Sequence, residues 1–365
     1  MDNFPKMKFF VVLVLIFLVV CFVVCAAPEK GIAAESKVVN LKVVAHIPPT
    51  YRDAFYAKKR MVDYINHFGK VCNLSAEFYH SETVYKAKEI LPSCMQGNID
   101  IAVGVPPSYI EGSLPGLGIT SLPGIWKDRY VHRSGTRRGT PYFNYVTRQY
   151  NRVGLLLLGA TFFGSMEVLC NKPVKTLEDW KGIRVRTLGA SDAKAFELIN
   201  AVPVTITSAE IYTSLQRGII NAVLSTDLVF EGRRLYEVAS YQINLGFFPL
   251  EMHCIINQAK FNSLTKEQQK VILNASELWA HDANTSEAVG MYMGIRHSLE
   301  KKYGVHQIYL SENELARLKK AMEPAVDWWK NRVGKEVADE ATKAIHDSQD
   351  ESLPKWGIID LIVPE

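Results

Sequence analysis

An arginine, Arg186, stands at the tip of a short apolar strand in the run WKGIRVRTLGAS, from Trp180 to Ser191. A guanidinium placed where a strand meets a loop does not build a core. Its planar fork of donors suits a carboxylate or a related anion. Arg184 lies two residues earlier on the same strand face, farther from the tip. Aromatic residues gather at strand ends as well: Tyr79, Phe162, Phe163, Phe247 and Phe248. Together they could wall a pocket for a small organic ion. Catalytic chemistry has no comparable signal. The chain carries no nucleophile elbow, phosphate loop, dinucleotide fingerprint or zinc spacing, so no catalytic residue, metal or cofactor is assigned. Its histidines are scattered, His46 and His253 among them, and read as surface or satisfied core residues.

The elements that would position Arg186 alternate. Val39–His46, Ser75–Tyr79 and Ile99–Val105 read as strands. They are separated by helical patterns at Ala54–Phe68 and Thr83–Met95. A Gly- and Pro-rich loop spans Gly112–Trp126, and a helix over Thr140–Asn151 precedes strands at Gly154–Gly159 and Glu167–Asn171. The stretch Trp180–Asp227 then repeats the β-α-β-α-β order, which requires parallel strands and right-handed crossovers. Met252–Asn257 is a further strand, and Gln258–Leu264 reads as a loop. Thr265–Tyr303 reads as a nearly continuous helix, and Glu312–Lys343 as one or two more. In an open parallel sheet, ligands collect beyond the C-terminal strand ends, which is where Arg186 falls.

The 365 residues, 48% hydrophobic and 22% charged, suffice for two lobes. A net charge of +4, with no basic stripe among aromatics, argues against nucleic acid. Lys6 and Lys8 precede an unbroken apolar run, Phe9–Ala27, and the small-residue stretch Gly31–Ala34 follows. Residues 1–34 therefore read as an export signal, with an uncleaved membrane anchor as the competing reading. Four cysteines remain beyond it: Cys72, Cys94, Cys170 and Cys254. An oxidising compartment would permit a Cys170–Cys254 bridge, and four buried thiols are the alternative.

Several motifs resemble one family. They are EDWKGIRVR (Glu178–Arg186), AVPV (Ala201–Val204), SAEIYTSLQRGIINAV (Ser208–Val223), QGNIDIAVG (Gln96–Gly104), LPGIW (Leu122–Trp126) and FNSLTKEQQKVI (Phe261–Ile272). Taken in their order along the chain, they resemble the solute-binding proteins of tripartite ATP-independent periplasmic (TRAP) transporters, over about residues 40 to 330. The resemblance implies an α/β two-lobed clamshell with parallel-sheet lobes, hinge strands and a long lobe-spanning helix. The lobes would be residues 38–162 plus 252–290 and 163–251 plus 291–345, with a tail over 346–365. It implies a periplasmic receptor, not an enzyme, that delivers a small carboxylate or sulfonate to the small and large permease subunits, as a monomer or dimer. By position, Arg186 matches the family's carboxylate clamp, Ser225 a ligand-contacting asparagine, and Glu210 and Tyr212 a Glu-x-Tyr pair. Tyr212, Phe163, Phe247 and Tyr79 complete the expected ligand set. The family's Asp-Gly pair is Asn221-Ala222 here. Ser165, Met166 and Glu167 stand where many members carry a second arginine. One clamping arginine suits a monocarboxylate or sulfonate. A membrane-tethered sensory domain and an exported hydrolase are the rival readings.

Overall fold

In the computed structural model, residues 37–286 and 292–349 are described. Strands β1 (Val39–Val44), β2 (Leu74–Tyr79) and β3 (Ile101–Val105) alternate with helices α1 (Arg52–Phe68) and α2 (Ala87–Met95). β1 and β3 run parallel, as the alternating pattern requires. Helix α1 forms because Ala54, Phe55, Met61, Val62 and Ile65 recur on one buried face. Helices α3 (Arg129–Gly135) and α4 (Pro141–Asn151) follow. Asp128 starts the first and Thr140 the second, each accepting main-chain N–H bonds from the first turn.

The two strands expected at Gly154–Gly159 and Glu167–Asn171 are one strand, β4 (Leu155–Cys170). Gly164, between the two expected strands, sits at a bulge with φ 109°. A second long strand, β8 (Tyr241–Asn257), pairs with it antiparallel. Between them lie β5 (Arg184–Thr187), α5 (Ala190–Leu198), β6 (Val202–Thr205), α6 (Ile211–Gln216), β7 (Ala222–Ser225) and α7 (Asp227–Gly232). β5 pairs in parallel with both β6 and β7. All described strands join one sheet in the order β2-β1-β3-β8-β4-β7-β5-β6. The clamshell halves, β1–β3 and β5–β7, are thus wings of a single sheet joined through β4 and β8. Three register shifts along β4–β8 bend that ladder, so one pair of strands serves both wings.

Three further expectations change. Gln258–Ser263 is a short helix, α8, started by the Asn257 side chain rather than a loop. A missed strand, β9 (His306–Tyr309), pairs parallel with β8. The long helix is described as α9 (Lys266–Ser286) and α10 (Tyr292–Lys301); residues 287–291 between them lie outside the described set. The last helices number three, α11 (Glu312–Met322), α12 (Pro324–Val333) and α13 (Lys335–Ser348). Pro324 and the left-handed Gly334 (φ 84°) break them. Helix α13 packs on α4 and α12. Residues 1–36, with the signal segment, and 350–365, most of the tail, lie outside the described residues.

The Gly- and Pro-rich loop is a buried 3-10 segment at Pro115–Ser121. Its glycines permit close approach: a Cβ on Gly118 would meet Ser191, Glu111 and Trp329. Glu111, just before this loop, accepts the N–H groups of Ala190 and Ser191 at the start of α5 and pairs with Arg332 at 3.0 Å. The four cysteines are thiols. A Cys170–Cys254 bridge is excluded by register: Cys254 pairs with Gly159, and Cys170 lies eleven residues farther along β4, roughly 30 Å away or more.

A buried polar cluster supports the β1–β3 wing. Glu251 Oε1 accepts from Tyr142 at 2.7 Å and meets His132 Nε2 at 2.6 Å, and Oε2 meets His253 Nε2 at 2.9 Å. Burial alone would raise the Glu251 pKa, but the bonds from His132 and His253 outweigh it and hold it at about 2, below its ordinary 4.5. A carboxylate with a depressed folded pKa stabilises fully above about pH 4.5 and loses that contribution as pH falls towards 2. The difference amounts to about 3 kcal/mol. Urea unfolding followed from pH 5 to 2 should show this acid limb, and Glu251→Gln should remove it. An unchanged limb in the variant would assign acid lability elsewhere. Gly104 offers a second check. Its φ is +65°, and a Cβ there would come within 2.5 Å of Lys58 Cε and Nζ, the far end of that buried side chain. Gly104→Ala should cost about 2–4 kcal/mol in the same assay, because strain and overpacking add; a change below 1 kcal/mol would mean that Lys58 moves aside freely.

Candidate functional site

Arg186 is 1% exposed, so its charge has left water. Its Nε donates to the carbonyl of Ile206 at 3.1 Å and its Nη1 to that of Leu224 at 3.0 Å. These carbonyls lie just past β6 and within β7, so the two neighbouring strands aim the guanidinium. No carboxylate among the described residues forms an ion pair with it. Asp192, close enough to feel its charge, is turned to the N–H groups of Leu188 and Gly189. Burial lifts that carboxyl to about 6 despite those bonds. Arg184 has a different task. Exposed at the strand's other end, it binds the carbonyls of Gly218 and Ile219 and fastens that turn.

The C-terminal ends of β1 and β3 bring their own residues to the same place. His46 follows β1 and is 2% exposed, and its Nδ1 has no hydrogen-bond partner. Burial, then the charges of Lys58, Arg233 and Arg186, lower its pKa to about 3. The imidazole is therefore neutral at any ordinary pH, in the field of three cations. Its ring meets Tyr109 edge-on at 5.9 Å. Burial raises the Tyr109 pKa, Arg186 opposes this, and the Ser208 main chain lies beside the phenol. Lys58 is 1% exposed on the buried face of α1, bonded to Ala54 O at 3.0 Å and 5.9 Å from the Phe163 ring centroid.

Bonds also cross from one wing to the other. Tyr51 shares a hydrogen bond of 2.8 Å with Ser208, and Arg233 Nε donates to the Tyr51 hydroxyl at 3.1 Å. Arg52 faces Glu231 at 3.4 Å, and Gly232 is bare because the Tyr51 ring lies against it. Glu82, after β2, has a buried Oε1 without a partner; burial raises its pKa and Arg233 then Lys86 pull it down. Glu82 and Ser81 both take positive φ, 57° and 58°, so this turn is strained in the way functional loops often are.

Of the six residues expected to hold ligand, the structure brings some to Arg186 and leaves others elsewhere. Ser225 ends β7, buried, one residue beyond the Leu224 carbonyl that receives Arg186; the neighbouring Thr226 hydroxyl is buried without a partner. Phe163 is joined to the site through Lys58. Tyr212 is half-exposed on α6 and its hydroxyl donates to Glu237 at 3.0 Å. The Tyr79 hydroxyl donates to Glu77 on the strand surface. Phe247 lines a separate groove beneath Lys319, whose Nζ lies 5.4 Å from its ring centroid. No contact brings these three to Arg186. Glu167, which stands where a second arginine was sought, turns into the sheet. It accepts from Gly246 N at 3.0 Å and pairs with Arg296 at 3.0 Å, and burial lifts its pKa to about 7.

Sequence reasoning missed His46, Tyr51, Lys58, Glu82, Tyr109, Ser208 and Arg233. Lys58 left a trace, a lysine on the apolar stripe of α1. His46 and Tyr109 left another, since they lie two and four residues past the ends of the parallel strands β1 and β3. Arg233 left none.

Among the described residues no helix is long and apolar enough to cross a membrane. The chain resembles a 2,3-diketo-L-gulonate-binding periplasmic protein of Escherichia coli, 24% identical over 56% of this chain and 62% of that protein. An uncharacterised Haemophilus influenzae protein is 29% identical, again over 56% and 62%. The chain thus spans less than two thirds of the length of the curated relatives first matched. Its fold resembles that of a TRAP periplasmic solute-binding protein from Desulfovibrio salexigens with bound orotic acid (TM-score 0.78, 17% identity, 85% of this chain and 98% of that one). It also resembles one from Haemophilus influenzae with bound L-gulonate (TM-score 0.77, 18% identity, 85% and 99%). The profile described as "Bacterial extracellular solute-binding protein, family 7" matches residues 68–332, and the chain belongs to that family, the DctP family.

Proposed function

We propose that this chain is the extracytoplasmic receptor of a TRAP transporter, holding a small organic acid between the two wings and passing it to the membrane permease. The observation that carries the reading is Arg186: a buried guanidinium, aimed by two carbonyls and without a carboxylate partner. An anion there would offset its desolvation, and the low dielectric would strengthen every charged hydrogen bond. The relatives' ligands, a diketogulonate, orotate and gulonate, are all organic acids. The receptor acts by binding and release rather than by catalysis, in the periplasm. Its partners are the small and large permease subunits, and it works as a monomer or dimer.

Arg233 and Lys58 widen the ligand class that one arginine suggested. Cations reach His46 from three elements, so a second anionic group on the ligand has a place to go. The unpartnered Oε1 of Glu82 favours a ligand that also carries a hydroxyl or amino donor, because a purely apolar acid would leave that atom unpaired. Tyr51, Ser208 and Arg233 close the wings over it.

A thermal-shift screen against mono- and dicarboxylates, sulfonates and sugar acids should find a stabilising acid by mass action. With that acid, calorimetry of Arg186→Lys should show affinity reduced about 10- to 100-fold, since the charge remains but the fork is lost. Undiminished affinity would remove Arg186 as the anchor. Arg233→Gln separates the ligand classes: about tenfold weaker binding of a dianion with a monoanion unaffected supports a second anionic subsite. Equal affinity for both would leave Arg186 as the sole anchor.

A further inference from the structure

The guanidinium of Arg186 is aimed by the carbonyls of Ile206 and Leu224, but its main chain is held by the turn that follows. That turn runs from Leu188 into the start of α5. Two carboxylates take its four successive main-chain N–H groups. Asp192 accepts from Leu188 at 2.7 Å and from Gly189 at 2.8 Å. Glu111 Oε2 accepts from Ala190 at 2.9 Å and from Ser191 at 3.2 Å, and its Oε1 accepts from the Ser191 hydroxyl at 2.7 Å. Asp192 belongs to α5 itself. Glu111 belongs to the other wing, in the stretch after β3 and two residues beyond Tyr109, whose phenol feels the Arg186 charge.

A helix can leave its first N–H groups to water. Here a carboxylate only 1% exposed meets them instead. The approach is close. A Cβ on Gly189 would come within 2.6 Å of Glu111 Oε2 and 3.0 Å of Ser108 Cβ. Glu111 Oε1 also pairs with Arg332 of α12 at 3.0 Å. One side chain thus ties together the stretch that carries Tyr109, the turn behind Arg186 and α12. Each oxygen has its own set of donors, so an amide in its place would turn an NH₂ group towards one of those sets.

We infer that Glu111 is a positioning residue for the anion anchor: from one wing it fixes the strand end of the other on which Arg186 sits. Binding geometry of this kind needs a supporting shell, since small displacements of an anchoring group weaken it. The purpose of the device rests on the receptor reading, but its test uses no ligand. The readout is the Nε–H proton of Arg186, followed by NMR hydrogen exchange in the full chain and identified by its loss in Arg186→Lys. It should exchange on the order of tenfold faster in Glu111→Gln, and about threefold faster in Ser191→Ala, which removes one bond to Glu111. Glu251→Gln takes an equal charge from a separate buried cluster and should leave the rate unchanged. Wild-type rates in Glu111→Gln and Ser191→Ala would overturn the inference, and if Glu111→Gln does not fold, Ser191→Ala decides alone. Equal acceleration in Glu251→Gln would mean general destabilisation and would overturn it as well. None of these outcomes bears on the calorimetry of Arg186→Lys, by which the receptor reading is judged.

Discussion

Positive charge withdrawn from water and left without a carboxylate is the constraint on which the arrangement rests. Removing a guanidinium from water costs several kcal/mol, and two carbonyls return only part of that. Those carbonyls belong to the ends of neighbouring parallel strands, Ile206 after β6 and Leu224 in β7. The β5–β7 wing is therefore shaped around Arg186 as much as Arg186 is placed by it. The cost extends to its neighbours. Lys58 and Arg233 add to the same field, and His46 responds by staying neutral. A neutral ring between cations serves as a hydrogen-bonding group, and its protonation does not compete with an anion across the ordinary pH range.

The sheet explains how such a site can open. Strands β4 and β8 form a long antiparallel ladder, and almost all of its side chains are buried. The bonds that join the wings over the site are few and polar, among them Tyr51 to Ser208 and Arg233 to Tyr51. Water can replace those bonds at little net cost, whereas breaking the ladder would expose a continuous apolar surface. Bending confined to the bulged ladder, with the wings moving as bodies, follows from that difference.

The parts of the fold legible in sequence were those written in local pattern. The strand ends of β1, β3 and β5 and the face of α1 each follow from one stretch of periodicity, and Arg186 followed from being polar at an apolar strand's tip. The fused strand β4 was not legible, because its continuity across Gly164 depends on pairing with β8, far away in sequence. Tyr79 and Tyr212 were aromatic residues near the right loops, but their hydroxyls found surface carboxylates in Glu77 and Glu237. Arg233 was beyond reach for the opposite reason. Its role depends on Tyr51, 182 residues away in sequence. Register along β4 and β8 likewise decides the cysteine question, which spacing alone left open.

Two kinds of buried polar group are present, and the difference between them separates stability from function. Glu251 is met by Tyr142, His132 and His253, and Glu111 by Ala190, Ser191 and Arg332. Fully met clusters of this kind fix one packing and leave nothing for a ligand. Elsewhere His46 Nδ1, Glu82 Oε1 and Thr226 Oγ1 are buried without partners, as are Gln149 Nε2 and Asn284 Oδ1. Each such atom weakens the fold by about 1–3 kcal/mol. The indole nitrogens of Trp126, Trp180 and Trp279 also lack partners, but they are single donors on large apolar rings whose packing offsets the loss. Short polar side chains have no such compensation. For His46, Glu82 and Thr226, on the loops nearest Arg186 and Arg233, the proposed ligand would supply the missing bonds, and that is the point at which stability and recognition would trade against each other.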